Sequence, residues 1–415
     1  MIRSVTVGIP AFSSSIAEQR ASLERLNSVV QEKLAKAGLK PRTLRLTLPA
    51  LRGEGQVPAF GLASMLSGTS DLAASINARW FCLPIDMLSE GYAGHLEAAI
   101  DCLKRFPGLF LNLIVAQPDA IAIQGAHDAA AFILKVARLS SNGFDNFRIG
   151  TSSCCPSNAP FFPFSRHEGE TLAFSFALET TPLALTLAEE ARRKKATLAE
   201  FREILVARLA DALGPIEGIA QEIADETGCV WKGMDASFAP FPGEVSVADL
   251  LTSIGAAPGA LGSLFATSIL TDTLRDALGR SKVKSVGFNG VMYSVLEDEG
   301  LARVNSNRAL TLQGLSALAS VCACGIDMVP VPANSFSEEL AGCILDIAAM
   351  AVRLRKPLGV RLLPIPGRQV NERTSLNLDF LCDSRVMDIG HGETMLQRGD
   401  TLWRYLTTLK EGYLQ

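Results

Sequence analysis

Val5, Val7 and Ile9 alternate with small or polar residues, the two-residue period of a strand with one covered face. From Ser15 to Ala37 the period lengthens. Ile16, Leu23, Leu26, Val30 and Leu34 form one helical stripe, which Gly38 closes. Alternation returns over Thr43–Leu48, with Leu44, Leu46 and Leu48 on one face and Thr43, Arg45 and Thr47 on the other. Strand, helix and strand in succession predict a β/α unit.

The switching continues along the chain. Ala59–Ser67, Leu72–Ala78, His95–Lys104 and Asp119–Leu139 read as helices, and Trp80–Pro84 as a strand. Leu109–Ala116 is so uniformly apolar that it predicts a strand covered on both faces. Phe147–Ser152 and Thr171–Glu179 are strands flanking an apolar loop. Pro182–Leu213 reads as one long amphipathic helix whose Arg192–Lys195 run is a solvated face, and Ile216–Thr227 as the next helix. Strand Cys229–Phe238, the rigid turn Ala239–Gly243 and helices Val247–Ile254 and Leu261–Leu278 follow. Val283–Ser294 is strand-like but broken by Gly287-Phe288-Asn289-Gly290, a sign of a bulge or close backbone approach. Then come helix Leu310–Cys322, strand Asp327–Val331, and helix Ser335–Arg355 with a capping pattern Ser335-x-x-Glu338. Strand Leu358–Ile365 carries Arg361, and a helix is predicted from about Leu402. Neither linker nor repeat interrupts the pattern. A single α/β domain over residues 1–415 is expected, and a closed or nearly closed β/α barrel suits many units without an open-sheet glycine fingerprint.

Composition narrows the function. The chain has 415 residues, 48% hydrophobic and 20% charged, with net charge −4. Nucleic-acid binding needs a clustered cationic footprint that is missing, so no such partner is expected. No apolar run is long enough for a membrane span, and no membrane partner is expected. The first residues read as a strand rather than a signal peptide. Nine scattered cysteines then suggest reduced thiols in the cytoplasm. No dinucleotide or P-loop fingerprint is present, and no cofactor is expected. Cys322-x-Cys324 at a helix end reads as two small buried residues. The apolar composition suits a homo-oligomer.

Candidate chemistry concentrates in Asn146–Gly169, which holds Arg148, Cys154, Cys155, Asn158, Phe161, Phe162, Arg166 and His167. An apolar loop carrying Cys, His and Arg is expected to line a pocket. Adjacent cysteines rarely bridge, because their Cα atoms lie about 3.8 Å apart. Cys154 and Cys155 are either core fillers or catalytic thiols, activated by Arg148, Arg166 or His167 if these converge. His167 is either a general acid/base or a satisfied hydrogen-bonding residue. A zinc set of Cys154, Cys155, His167 and Glu170 matches no standard spacing, and no metal is expected. His95 and His127 lie on ordinary helical stretches, and His391 lies in a glycine loop. Elsewhere, Glu179, Asp235, Glu297, Asp298 and Asp327 are carboxylates on or at the ends of strands. In a barrel such positions face the site, or they cap helices or form ion pairs. Asn289, in the glycine-flanked break, is a further substrate contact. Arg361 is either a buried ion-pair partner or an anion anchor.

NAPFFPFSRHEG resembles the F-F-P-x-x-Y-H-x-G element of the DUF711 family. GMDASFAPFP, GFNGVMYSVLEDEGL, GIDMVPVPANS, KPLGVRLLPIPG and SRVM resemble its later blocks in the same order. The resemblance implies a fold similar to the ten-stranded β/α barrel of pyruvate formate-lyase-like enzymes. It implies little about activity. Three positions depart from the pattern: Pro332-Ala333-Asn334-Ser335 stands where relatives read P-G-D-T, Arg166 replaces a tyrosine, and Cys154-Cys155 replaces small non-thiol residues. Arg385-Val386-Met387-Asp388-Ile389-Gly390 does not reproduce the glycyl radical loop, so a stored radical is not expected. The resulting expectation is a non-radical enzyme acting on a small carbonyl- or carboxylate-bearing metabolite. Arg148, Arg166 or Arg361 would hold the anion, and His167 with Cys154 or Cys155 would carry a lyase, isomerase or cyclisation step. A non-catalytic binding protein and a metal-dependent enzyme are the alternatives.

Overall fold

The computed structural model of the chain describes residues 2–10, 16–53, 57–390 and 401–405. Strands β1 (Ile2–Gly8), β2 (Pro41–Thr47), β3 (Trp80–Asp86) and β4 (Leu109–Gln117) lie side by side and parallel, followed in chain order by the two-residue β5 (Ala120–Ile121). β6 (Ile149–Ser153) adds to β4, also parallel. Helices α1 (Ile16–Lys36), α2 (Leu62–Ser75), α3 (Tyr92–Arg105) and α4 (Ile123–Val136) connect them.

A second set runs the other way. β7 (Ala173–Leu178) and β8 (Val230–Asp235) are parallel to each other, as are β9 (Gly325–Pro332) and β10 (Leu358–Ile365). The two sets meet antiparallel at β1–β7 and β6–β10, in the order β8-β7-β1-β2-β3-β4-β6-β10-β9. A short β11 (Trp403–Arg404) pairs with β5, which brings the sheet to 11 strands. The second set is covered by α5 (Thr181–Arg193), α6 (Leu198–Thr227), α7 (Val247–Ser253), α8 (Ser263–Ser281), α9 (Glu299–Ser306), α10 (Leu312–Leu318) and α11 (Ser337–Leu354). The mixed α/β class expected from the alternation is therefore present as a large, mostly parallel sheet flanked by helices.

β8 and β9, at the two ends of this order, form no ladder with each other, so hydrogen bonds do not close the sheet into the expected barrel. Residues 283–294 lie between them and make single bridges only: Met234 with Ser285, Phe238 with Val291, and Ser294 with Asp327. Asp235 organises this segment. Its buried carboxylate accepts hydrogen bonds from the backbone N–H of Phe288 (2.7 Å) and Asn289 (3.3 Å) and from the Ser237 hydroxyl (2.5 Å). Asn289, at φ 50°, returns its side-chain oxygen to the Ala236 N–H at 3.0 Å. A Cβ on Gly287 would lie 2.3 Å from Asp235 Oδ2, which is the close approach that the glycine permits.

Several boundaries differ from the sequence reading, each for a local reason. α2 is one helix rather than two. The long helix expected over Pro182–Leu213 breaks after Arg193, where Lys195 takes φ 55° and Thr197 caps α6 with Glu200 returning to its N–H at 2.7 Å. That new helix then runs through Pro215, whose solvent-facing position lets the turn continue. At α11 it is Glu339 that folds back, to the Phe336 N–H at 3.0 Å, not Glu338 to Ser335. Trp403–Arg404 is a strand where a terminal helix was predicted. The rest of that prediction, and His391, lie outside the described residues.

Candidate functional site

The loop after β6 forms a finger laid on the sheet. Its Pro160 carbonyl accepts hydrogen bonds from Ser4, Thr6 and Arg45, each at 3.3 Å. The Cys82 thiol and the Asn112 amide donate to its Ser165 carbonyl, at 3.4 and 3.2 Å. Ser175 donates to the Asn158 carbonyl at 2.7 Å. One loop thus satisfies polar side chains of β1, β2, β3, β4 and β7. The strand faces that read as polar in the sequence are turned onto the finger, because an internal loop has backbone groups that need partners. Packing at its base is tight. A Cβ on Gly8 would lie 2.2 Å from His167 Nδ1 and 2.4 Å from Asn158 Nδ2. Gly8→Ala is therefore expected to destabilise the protein by about 1–3 kcal/mol, read as a lowered urea midpoint. An unchanged midpoint would show that the finger base is free to move.

The tip of the finger, Phe161 and Phe162, forms part of the wall of a cavity of about 210 Å³. The cavity lies where β1–β4 and β9 begin, beside Arg361 midway along β10 and Ala239–Phe241 beyond the end of β8. Two chemistries face each other across it. Arg361 forms a bidentate pair with Asp327 (Nε–Oδ1 2.6 Å, Nη2–Oδ2 2.9 Å) and reaches Glu297 at 2.6 Å. Opposite stand Arg3 and Arg45, only 7% and 6% exposed. Arg3 donates to the Pro240 carbonyl at 2.6 Å, and Arg45 donates to Thr43 Oγ1 at 3.1 Å as well as to Pro160. Among the described residues neither forms an ion pair with a carboxylate. Both instead sit over aromatic faces, Arg3 at Phe161 and Phe241, Arg45 at Trp80 and Phe162.

Burial dominates the electrostatics. It lowers the pKa of Arg3, and that of Arg45 to about 9, with the charge of Arg3 adding to the effect on Arg45. At Asp327, burial outweighs the attraction of Arg361 and raises the pKa. At Glu297, burial acts in the same direction but Arg361 and Arg3 together prevail, and the pKa falls. Both carboxyl groups share one guanidinium, so they titrate as a coupled set.

A bulge places Arg3. Between Ile2 and Ser4 the β1–β7 register slips, and the extra residue turns a side chain that strict alternation would send to the helices. Arg45 and Thr43 need no such device, being on the polar face of β2. Arg42 stands at the rim, paired with Glu179 at 2.9 Å and Glu244 at 3.0 Å. Sequence reasoning did not single out Arg3, Arg45 or Cys324 as cavity residues.

Of the candidate residues read from sequence, Phe161, Phe162, Glu297, Asp327 and Arg361 line the cavity. Cys154, Cys155 and His167 lie at the finger's base, outside its lining. Burial pushes the Cys154 thiol up to about 11 and the Cys155 thiol up to about 12, where little thiolate forms. Arg166 donates to the Cys155 carbonyl at 3.3 Å and pairs with Glu168. Arg148 caps the turn after α3, donating to the carbonyls of Leu103 and Phe106 at 3.1 Å, and pairs with Asp145. Asn158 meets His167 Nδ1 at 3.2 Å. Asp235 and Asn289 hold the 283–294 segment, and Asp298 caps α9. His95 is buried against the Val57 carbonyl at 2.7 Å. Among the described residues no three His, Cys, Asp or Glu side chains are grouped as metal ligands, so Cys154, Cys155, His167 and Glu170 do not form such a set. No described helix is long and apolar enough to cross a membrane.

Burial, with Lys232, lowers the His167 pKa from 6.5 to about 4. The unfolded chain then binds the extra proton between these values. Stability is complete above about pH 6.5, falls by up to about 3 kcal/mol as pH drops to 4, and is constant below. Urea titrations of wild type and His167→Gln at pH 7 and 4.5 are expected to show the acid loss shrinking in the variant. Equal losses in the two would exclude His167 as its source.

A family model described as "Uncharacterised ACR (DUF711)" matches residues 1–377. A UPF0210 protein of Pyrobaculum arsenaticum is 31% identical over 68% of this chain and 62% of its own length. One from Pyrobaculum islandicum is 28% identical over 88% of this chain and 85% of its own. One from Pyrobaculum aerophilum is 26% identical over 99% and 95%. With the family pattern running through the finger, the 283–294 segment and β9–β10, and the model matching most of its length, the chain belongs to the DUF711 family.

Proposed function

We propose that the protein is a non-radical enzyme that binds a small carboxylate- or carbonyl-bearing metabolite in the finger-tipped cavity and moves a proton on it. The observation that carries this reading is the pair Arg3 and Arg45. A buried cation without a counter-ion is costly, and an anionic ligand supplies what the protein does not. Asp327 and Glu297, held by Arg361, are the acid/base groups, suited to a lyase, isomerase or cyclisation step. His167, Cys154 and Cys155 act in this reading as positioning residues that set the finger. The nine aligned strands and the 283–294 segment are the ten staves of a closed barrel around it.

The test is a panel of small mono- and dicarboxylates, 2-oxo acids and inorganic phosphate, read first by thermal shift and then by NMR for turnover. A binding acid at 100 times its Kd stabilises by about 2.7 kcal/mol. Binding that is lost in Arg45→Met, with turnover lost in Asp327→Asn, is the expected result. Binding without turnover of any panel member favours the non-catalytic reading, and no binding at all removes both. A homo-oligomer is proposed through the exposed Leu261, Leu264 and Phe265 at the start of α8. Sedimentation of Phe265→Glu is expected to show a smaller species than wild type.

A further inference from the structure

The cavity at the finger tip offers contacts that the protein does not itself use. Arg3 donates through Nη1 alone, and Arg45 through Nε and Nη1, so among the described residues the Nη2 of each has no acceptor. On the other side, Glu297 accepts from Ser294 and from Arg361 on the same oxygen, Oε2, at 2.6 Å each. No described donor reaches its Oε1. Arg361 is already occupied by Asp327 and Glu297. The spare donors and the spare acceptor thus belong to different groups of the wall.

The rest of the wall is apolar and mainly aromatic. Phe110 and Phe162 belong to one buried cluster, Phe164, Phe288 and Met292 to another, and all five line the cavity. Phe161 belongs to the second cluster, so the finger tip contributes one ring to each. Phe164 and Phe288 meet edge to face at 5.7 Å, the packing that aromatic rings prefer. The volume, about 210 Å³, bounds the size of a ligand. A dry cavity of about 150 Å³ holds one benzene molecule, so there is room here for one such ring with a carboxylate and not for a nucleotide.

We propose that the acid taken by this cavity is aromatic: a single six-membered ring with a carboxylate for Arg3 and Arg45 and a hydroxyl or amino group that donates to Glu297. The assignment rests on the reading that the cavity binds an acid. A short aliphatic acid satisfies the arginines but leaves the phenylalanines without contacts. A saturated ring matches the volume but lacks the polarised edge that packs on aromatic faces. An unsubstituted aromatic ring fills the walls but leaves Glu297 Oε1 unpaired, and a buried acceptor without a donor is costly.

Calorimetry on the full chain with 3- and 4-hydroxybenzoate, benzoate, cyclohexanecarboxylate, propionate and inorganic phosphate tests the assignment. Benzoate is expected to bind about 100-fold tighter than propionate, from its buried ring carbons. It is expected to bind about three- to tenfold tighter than cyclohexanecarboxylate. The better hydroxybenzoate is expected to gain about a further tenfold through Glu297. Phe288, unlike Phe161 and Phe162, carries neither Arg3 nor Arg45 on its ring. Phe288→Leu is therefore expected to weaken benzoate about three- to tenfold and leave propionate unchanged. Should that variant fail to fold, quenching of tryptophan fluorescence by 4-hydroxybenzoate, lost in Trp80→Phe, places the ring in the cavity that Trp80 lines. Propionate, phosphate or cyclohexanecarboxylate binding as tightly as benzoate overturns the aromatic class and leaves the acid reading standing. Hydroxybenzoates no tighter than benzoate do the same, as does a 2-oxo acid that binds where no aromatic acid does. No binding by any acid removes both.

Discussion

Replacing Arg361 with methionine is expected to destabilise the protein by about 3–5 kcal/mol at pH 7, the cost of leaving buried carboxylates without their cation. Asp327 and Glu297 are both largely removed from water and both bind this one guanidinium, at 2.6–2.9 Å and 2.6 Å. Arg3 is too far to form an ion pair with either, and cannot take its place. In the variant, Glu297 loses the main charge that holds its pKa down, and Asp327, already raised by burial, rises further. Such groups lower stability when ionised, and the loss is relieved as pH falls through the raised values. The gap to wild type is therefore expected to narrow between pH 7 and pH 5 in urea titrations. Arg361→Lys, which keeps the charge but not the bidentate geometry, should fall between the two. A loss below about 1 kcal/mol, or a gap that does not change with pH, would mean that water reaches the carboxylates.

The sequence reading located the finger by its composition, because an apolar loop rich in phenylalanine and proline has no place on a surface. It did not locate what the finger faces. Thr43, Arg45 and Thr47 alternated visibly with leucine, but alternation usually marks a strand with one face in water. Here the second face looks inward, onto Pro160 and the cavity, and only the curvature of the sheet reveals that. Arg3 was hidden more deeply, since its direction depends on a bulge that pairing with β7 creates. Cys322 and Cys324 looked like fillers at a helix end. Both are buried there, as that reading expects. Arg361 was correctly seen as a buried cation, and the choice between ion pair and anion anchor rested on Asp327 and Glu297 meeting it in space. The mixed α/β class was legible because each unit carries its own period. The expected closure was not legible, because between β8 and β9 the irregular 283–294 segment makes single bridges only.

Arg45→Met is expected to weaken binding of the tightest acid in the panel by about 10- to 100-fold while leaving the ligand-free protein as stable or more so. The two halves of this expectation have one cause. Arg45 is a buried cation whose hydrogen bonds go to Thr43 and to the Pro160 carbonyl, neither of which carries charge. Its folded pKa of about 9 against the usual 12.5 means that the protonated form is disfavoured by folding. For such a base, the cost is present in full below pH 9 and is relieved only as pH rises from about 9 towards 12.5. At pH 7 a methionine of similar length removes that cost, and exchanging a buried ion for a packed apolar side chain is commonly neutral or stabilising by about 1–4 kcal/mol. Pro160 keeps its bonds from Ser4 and Thr6, so the finger tip is not released. The ligand, by contrast, loses a charge-assisted hydrogen bond worth about 1.5–3 kcal/mol, which sets the fold-change in Kd. A stability defect of several kcal/mol with unchanged Kd would assign Arg45 to the scaffold. A gain or no change in stability with a weakened Kd assigns it to the ligand, because an arginine kept at a cost to the fold needs an anion to account for it.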